Sequence, residues 1–169
     1  MLTLYTVLRL VHIFSGVFWA GANLMMAGFI NPSVKATAPD SGKFMQHLAQ
    51  KSGFPRSAEI AGWLTVLAGL ALYWIVSGGF QPAWITSRYG LALTMGGLLA
   101  IVGLVVGYTV QKPAAKRMGA LGQEIQAGGK PPSPEQVAEL QAQQKKLAMG
   151  GLWTAILLAL AVVGMAIAR

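Results

Sequence analysis

Apolar residues run through this chain in four long stretches, separated by segments where charge, glycine and proline collect. The first, about residues 3–30, exceeds the roughly 20 residues a helix needs to cross a bilayer's hydrocarbon core. Stretches at about 58–77, 90–110 and 147–168 are also long enough. Asn31-Pro32 predicts a break or kink after the first stretch, because proline disfavours helix in its predecessor and cannot donate to the helical ladder. DSGKFMQHLAQKSGFP then reads as a short helix, opened by Asp40 or Ser41 and closed by Gly53 and Pro55. Gly78, Gly79 and Pro82 stop the second span, and Gly103 with Gly107 gives the third a small-xxx-small packing pattern.

The connection at about 111–146 is the one long polar segment. Within it, Ser133 followed by Pro134, with Gln136 three residues on, has the spacing of a capping box. No strong breaker follows, so the fourth helix is expected to project from the membrane, and an extension of the third, kinked at Pro113, would complete a helical hairpin. The expected fold is all-α: a single-domain integral membrane four-helix bundle, up-down-up-down, with a cytoplasmic helical extension between spans 3 and 4.

Composition agrees with that class. Of 169 residues, 54% are hydrophobic and 11% charged, and the mean hydropathy is +0.55. The net charge of +8 tracks topology and does not point to nucleic acid. Lys35, Lys43, Lys51, Arg56, Lys112, Lys116, Arg117, Lys130, Lys145 and Lys146 fall in the first and third connections, whereas Arg9, Arg88 and Arg169 fall on the other side. The positive-inside rule therefore places both termini outside, across a membrane expected to be a bacterial inner membrane. The first run is too long for a signal-peptide core and lacks a convincing cleavage site, so it is expected to stay in the mature chain. Without cysteine, disulfides and thiolate metal sites are excluded.

Candidate chemistry sits inside the first stretch. Tyr5, Arg9, His12, Gly16, Trp19, Asn23 and Met26 recur at a period near 3.5 and so share one helix face. Ionisable groups at membrane depth face protein, cofactor or water, because lipid tails cannot solvate them. His12 falls roughly 14 Å from the outer end of the helix at 1.5 Å per residue. A neutral imidazole there suits haem iron or copper. Arg9 could pair with a haem propionate, while Gly16, Trp19 and Asn23 would line the cofactor space. The competing readings are an interhelical hydrogen bond from His12 with Arg9 snorkelling to the headgroups, or a proton relay. His47 lies in a polar connection and reads as solvated, and Glu59 as an interfacial carboxylate near Arg56. Trp63, Trp74, Trp84 and Trp153 read as interfacial anchors.

His12, Trp19 and the Ala20-Gly21 pair resemble the first-helix signature of HemJ-type protoporphyrinogen oxidases and of the membrane domain of copper-resistance D proteins. Arg56 and the following LTVLAGLALYW continue the resemblance. Trp84 and Arg88 keep two positions of the next family motif, while Thr86 stands where that motif has histidine. The resemblance thus implies the fold and a haem role for His12, not the oxidase activity. The functional expectation is a protein that binds haem b through His12, with redox, gas-related or porphyrin chemistry and no assigned catalytic residue. The alternatives are a copper-handling or small-solute protein without haem, and a structural or assembly subunit. Expected partners are the lipid bilayer, an electron or protein partner of unspecified kind, and a second copy in a homodimer.

Overall fold

The computed structural model describes residues 3–38 and 40–168, so Arg169, counted above among the outward charges, lies outside the described residues. Thr3 caps α1 (Leu4–Met25) by accepting a hydrogen bond from the Thr6 amide. The chain then stays helical as far as Ala36. Of the break or kink expected at Asn31-Pro32, the break does not occur. The backbone instead widens into a π-helical stretch, Met26–Ile30, in which the Asn31 amide bonds to the Met26 carbonyl, five residues back. Pro32 follows in α2 (Asn31–Ala36). A proline has no amide to donate and crowds the preceding turn, and one wider turn relieves both conflicts without ending the helix.

The short connecting helix is α3 (Gly42–Gln50), which carries the exposed His47. Ser41 precedes it without a side-chain cap, since its hydroxyl donates to the Val34 carbonyl. Gly53, at φ 73°, turns the chain into α4 (Phe54–Val76). A tight turn and the single-turn α5 (Pro82–Ile85) lead to α6 (Arg88–Val106). The device seen at Pro32 then recurs. A π-helical stretch, Gly107–Gln111, bonds the Lys112 amide to the Gly107 carbonyl just before Pro113, and α7 (Lys112–Gly128) continues the helix. After Gly129, at φ 57°, Ser133 and Gln136 form the expected capping box at the start of α8 (Pro134–Ala166).

Among the described residues, four helices are long and apolar enough to cross a membrane: Leu4–Ala36, Phe54–Val76, Arg88–Gly128 and Pro134–Ala166. No strand occurs among the described residues. α1 packs along α4 and α6 along α8, and further contacts join α1 to α8 and α4 to α6. The buried positions are dominated by alanine, among them Ala20, Ala61, Ala68, Ala100, Ala155 and Ala161. Small residues allow the close helix approach that drives association in lipid. At Gly96 a Cβ would stand 2.8 Å from Met165 Cγ and 3.1 Å from the Ala161 carbonyl. Gly103 also faces α8, but Gly107 does not, so the contact uses Gly96, Ala100 and Gly103 in place of the Gly103–Gly107 pattern. Large apolar side chains point outward, with Phe14 83% and Val17 70% exposed, as befits helices surrounded by lipid.

Beyond the apolar segments, α7 and the start of α8 pack together as a hairpin. Arg117 clasps both carboxylate oxygens of Glu139, at 2.6 and 2.9 Å, and reaches Glu124 at 3.1 Å.

Candidate functional site

The stripe read on α1 divides into three parts. His12, Gly16 and Trp19 face α4, meeting Gly69, Thr65 and Gly62 in turn. Asn23 and Met26 line a cavity further along, and Tyr5 and Arg9 are exposed.

His12 is half-buried, and the Cε1–Nδ1 edge of its ring lies against α4 at Gly69, where a Cβ would fall 2.9 Å from Cε1 and 3.0 Å from Nδ1. Only glycine leaves room for the imidazole there. Nδ1 lies 2.8 Å from the Thr65 carbonyl oxygen. A carbonyl can only accept, so Nδ1 carries the proton and donates, and in the neutral ring Nε2 keeps its lone pair. Thr65 is fixed in turn. Its hydroxyl donates to Ser15 Oγ at 2.9 Å, and Ser15 donates to the Val11 carbonyl at 2.6 Å. Both hydroxyl residues are buried. This is the interhelical hydrogen bond expected of a structural histidine, yet it occupies one ring nitrogen only. Histidines that ligate metals usually hold their second nitrogen in this way, which orients the ring and strengthens the donor.

No family model, curated protein or solved structure matches this chain. The site is therefore argued from its own chemistry.

Among the described residues no group of three or more His, Cys, Asp and Glu side chains is placed to share a metal ion. His12 stands alone as a nitrogen donor on α1, with exposed Arg9 about one turn away. His47 is on α3, at the other end of α4 from Gly69. Glu59 does not pair with Arg56 as its neighbourhood in the sequence suggested. Its carboxylate meets Lys112 Nζ at 2.6 Å, joining the start of α4 to the start of α7.

That ion pair borders a feature the sequence did not disclose. A cavity of about 290 Å³ opens between the four long helices towards the basic end, covered by Met45 and Leu48 of α3. Trp19 and Asn23, assigned above to the space around His12, line this cavity, whereas His12, Arg9 and Gly16 do not. Both π-helical stretches border it, through Met26 on one side and Gly107, Tyr108 and Gln111 on the other. Each of these stretches precedes a proline, Pro32 or Pro113, that stands beside a polar residue at the end of an apolar run. Thr86 is exposed in the turn before α6, outside the third span.

Proposed function

We propose that the chain is a four-helix membrane bundle of up-down-up-down topology, with both termini outside, that binds haem b through Nε2 of His12. Redox, gas-related or porphyrin chemistry follows as its class of activity. The topology draws support from the helix contacts. Partners on α4 fall in number as those on α1 rise, from His12 with Gly69 to Trp19 with Gly62. On α6 and α8, Gly96 meets Met165 and Gly103 meets Leu158. Tyr73 Oη and Thr94 Oγ1, 2.6 Å apart, link the end of α4 to the start of α6.

The observation that carries the haem reading is a lone imidazole whose Nδ1–H is committed to the Thr65 carbonyl. Porphyrin brings four nitrogen donors of its own, so one axial histidine suffices for haem. A bare copper or zinc ion draws most of its ligands from the protein, and one histidine is too few. The donor chemistry therefore fits haem better than copper. When bound, haem would supply the redox or gas-binding iron. The chain's own part is to orient His12 through the Thr65 carbonyl, with Arg9 near enough in sequence to meet a propionate. Because the cavity stops short of His12, a haem held by this residue would have to meet the half-exposed side of the α1–α4 seam.

A reduced pyridine haemochrome spectrum of the purified protein tests this reading. The expected result is a b-type spectrum, with copper well below one ion per chain. A colourless preparation that takes up no supplied haem overturns it, and stoichiometric copper without haem favours the copper reading.

A further inference from the structure

The cavity near the basic end has a chemistry distinct from that of His12. Its wall is mainly apolar and aromatic, with Trp19, Trp63 and Tyr108 contributing rings. Trp63 stands edge-on to Tyr108, with ring centroids 6.3 Å apart. Polar groups that could serve a ligand are few, and most already have partners. The Asn23 amide donates to the Trp19 carbonyl at 2.9 Å, and Gln111 Nε2 donates to Thr154 Oγ1 at 2.8 Å. Lys112 and Glu59 neutralise each other at the cavity's edge, so a charged ligand finds no net counter-charge there.

One buried donor is unused. Trp19 is only 5% exposed, and its indole N–H has no hydrogen-bond partner among the described residues. No fully enclosed side-chain nitrogen or oxygen among those residues lacks a partner, so this N–H is not sealed off; its edge lies beside Gly62, and Trp19 is among the residues that line the cavity. A buried indole N–H normally finds an acceptor, and here a ligand oxygen would supply it. The π-helical turns on both sides point the same way, since such turns occur frequently at functional sites.

Access comes from the lipid. A groove on the outward face of α1, formed by Val17, Phe18 and Gly21, shares Ala22, Met26 and Phe54 with the cavity. An apolar tail can lie in the groove while its head occupies the cavity. At about 290 Å³ the cavity is at the lower end of small-molecule sites, roughly 300–1,000 Å³. That space suits a single ring.

We propose that this cavity binds the head of a lipid-soluble quinone: an uncharged, planar, carbonyl-bearing ring whose oxygen accepts the Trp19 N–H and whose apolar tail leaves along the groove on α1. The aromatic wall stacks on the ring. The site goes beyond the haem reading and does not rest on it.

The test uses the full-length protein in phospholipid nanodiscs with a photoreactive azidobenzoquinone carrying a decyl tail. Cross-links are expected on peptides containing Trp19, Trp63 or Tyr108, and unlabelled decylbenzoquinone should compete them away. Equilibrium dialysis of the unlabelled quinone should saturate at one per chain. Trp19→Phe, which keeps the ring and removes the donor, should weaken binding about five-fold. Gly151→Leu should abolish saturable binding. Gly151 lines the cavity, and a Cβ there meets only Gln111 Oε1, at 3.9 Å, so the longer side chain can enter the space. Cross-links elsewhere, labelling that decylbenzoquinone does not compete, or non-saturable uptake like that of empty nanodiscs would each overturn the proposal. Haem is read separately from its Soret band, so either site can fail without the other.

Discussion

At Gly69 the missing side chain decides where the His12 imidazole lies. A Cβ there would stand 2.9 Å from the ring, closer than carbon atoms pack. Gly69→Ala should therefore push the ring off its seat and break the bond to the Thr65 carbonyl while leaving the histidine in the chain. Overpacking of this kind costs about 1–3 kcal/mol. Loss of a bond that orients a ligand lowers affinity roughly 10–100-fold. Haem titration of this variant should show that drop with the helical circular dichroism retained, and unchanged affinity would remove Gly69 from the site. His12 itself was legible in the sequence, because an imidazole inside an apolar run stands out. Its setting was not. Thr65 contributes its carbonyl and Gly69 its emptiness, and neither registers as polarity in LTVLAGLALYW. Trp19 shares with His12 the face towards α4 that helical periodicity gives it, but seven residues further along, against Gly62, it also lines the cavity.

Helix boundaries followed the sequence where they depend on local chemistry. Ser133 and Gln136 cap α8 as their spacing indicates, and Ser133→Ala should cost about 1 kcal/mol of local stability. Hydrogen exchange should rise in the first turns of α8 and not in its apolar half. Pro32 and Pro113 do not end their helices, because a wider turn that the sequence does not show accommodates the missing amide. The hairpin should also respond to pH. Hydrogen bonding and charge from Arg117 hold the Glu139 carboxyl below its ordinary value of 4.5. A depressed carboxyl stabilises the folded hairpin above the unfolded value and loses that contribution as pH falls through the folded one. Resistance of the hairpin to an acid-tolerant protease should therefore hold from neutral pH to about pH 5 and decline below about pH 4. Arg117→Gln should flatten that decline, and an equal decline in the variant would assign it to other groups.

For the whole molecule, the four apolar helices and the one-sided distribution of Lys and Arg are the basis of the proposed topology, with both termini outside. The chain contains no cysteine, so a single introduced one reports its side of the membrane without ambiguity. A membrane-impermeant maleimide added to intact cells should label Thr86→Cys, in the turn before α6, and should reach Lys116→Cys only after the cells are opened. The reverse pattern would invert the orientation. The long apolar helices were legible because length and hydropathy suffice to find them, whereas the cavity arises from the meeting of four helices and has no signature in any one of them. The central claim, that His12 holds haem iron through Nε2, is tested most directly by titrating haem into the purified protein and its His12→Ala variant while following the Soret band. The account predicts saturation at one haem per chain for the wild type and no specific Soret shift for a variant that keeps its helical circular dichroism. An identical titration for the two proteins would contradict it.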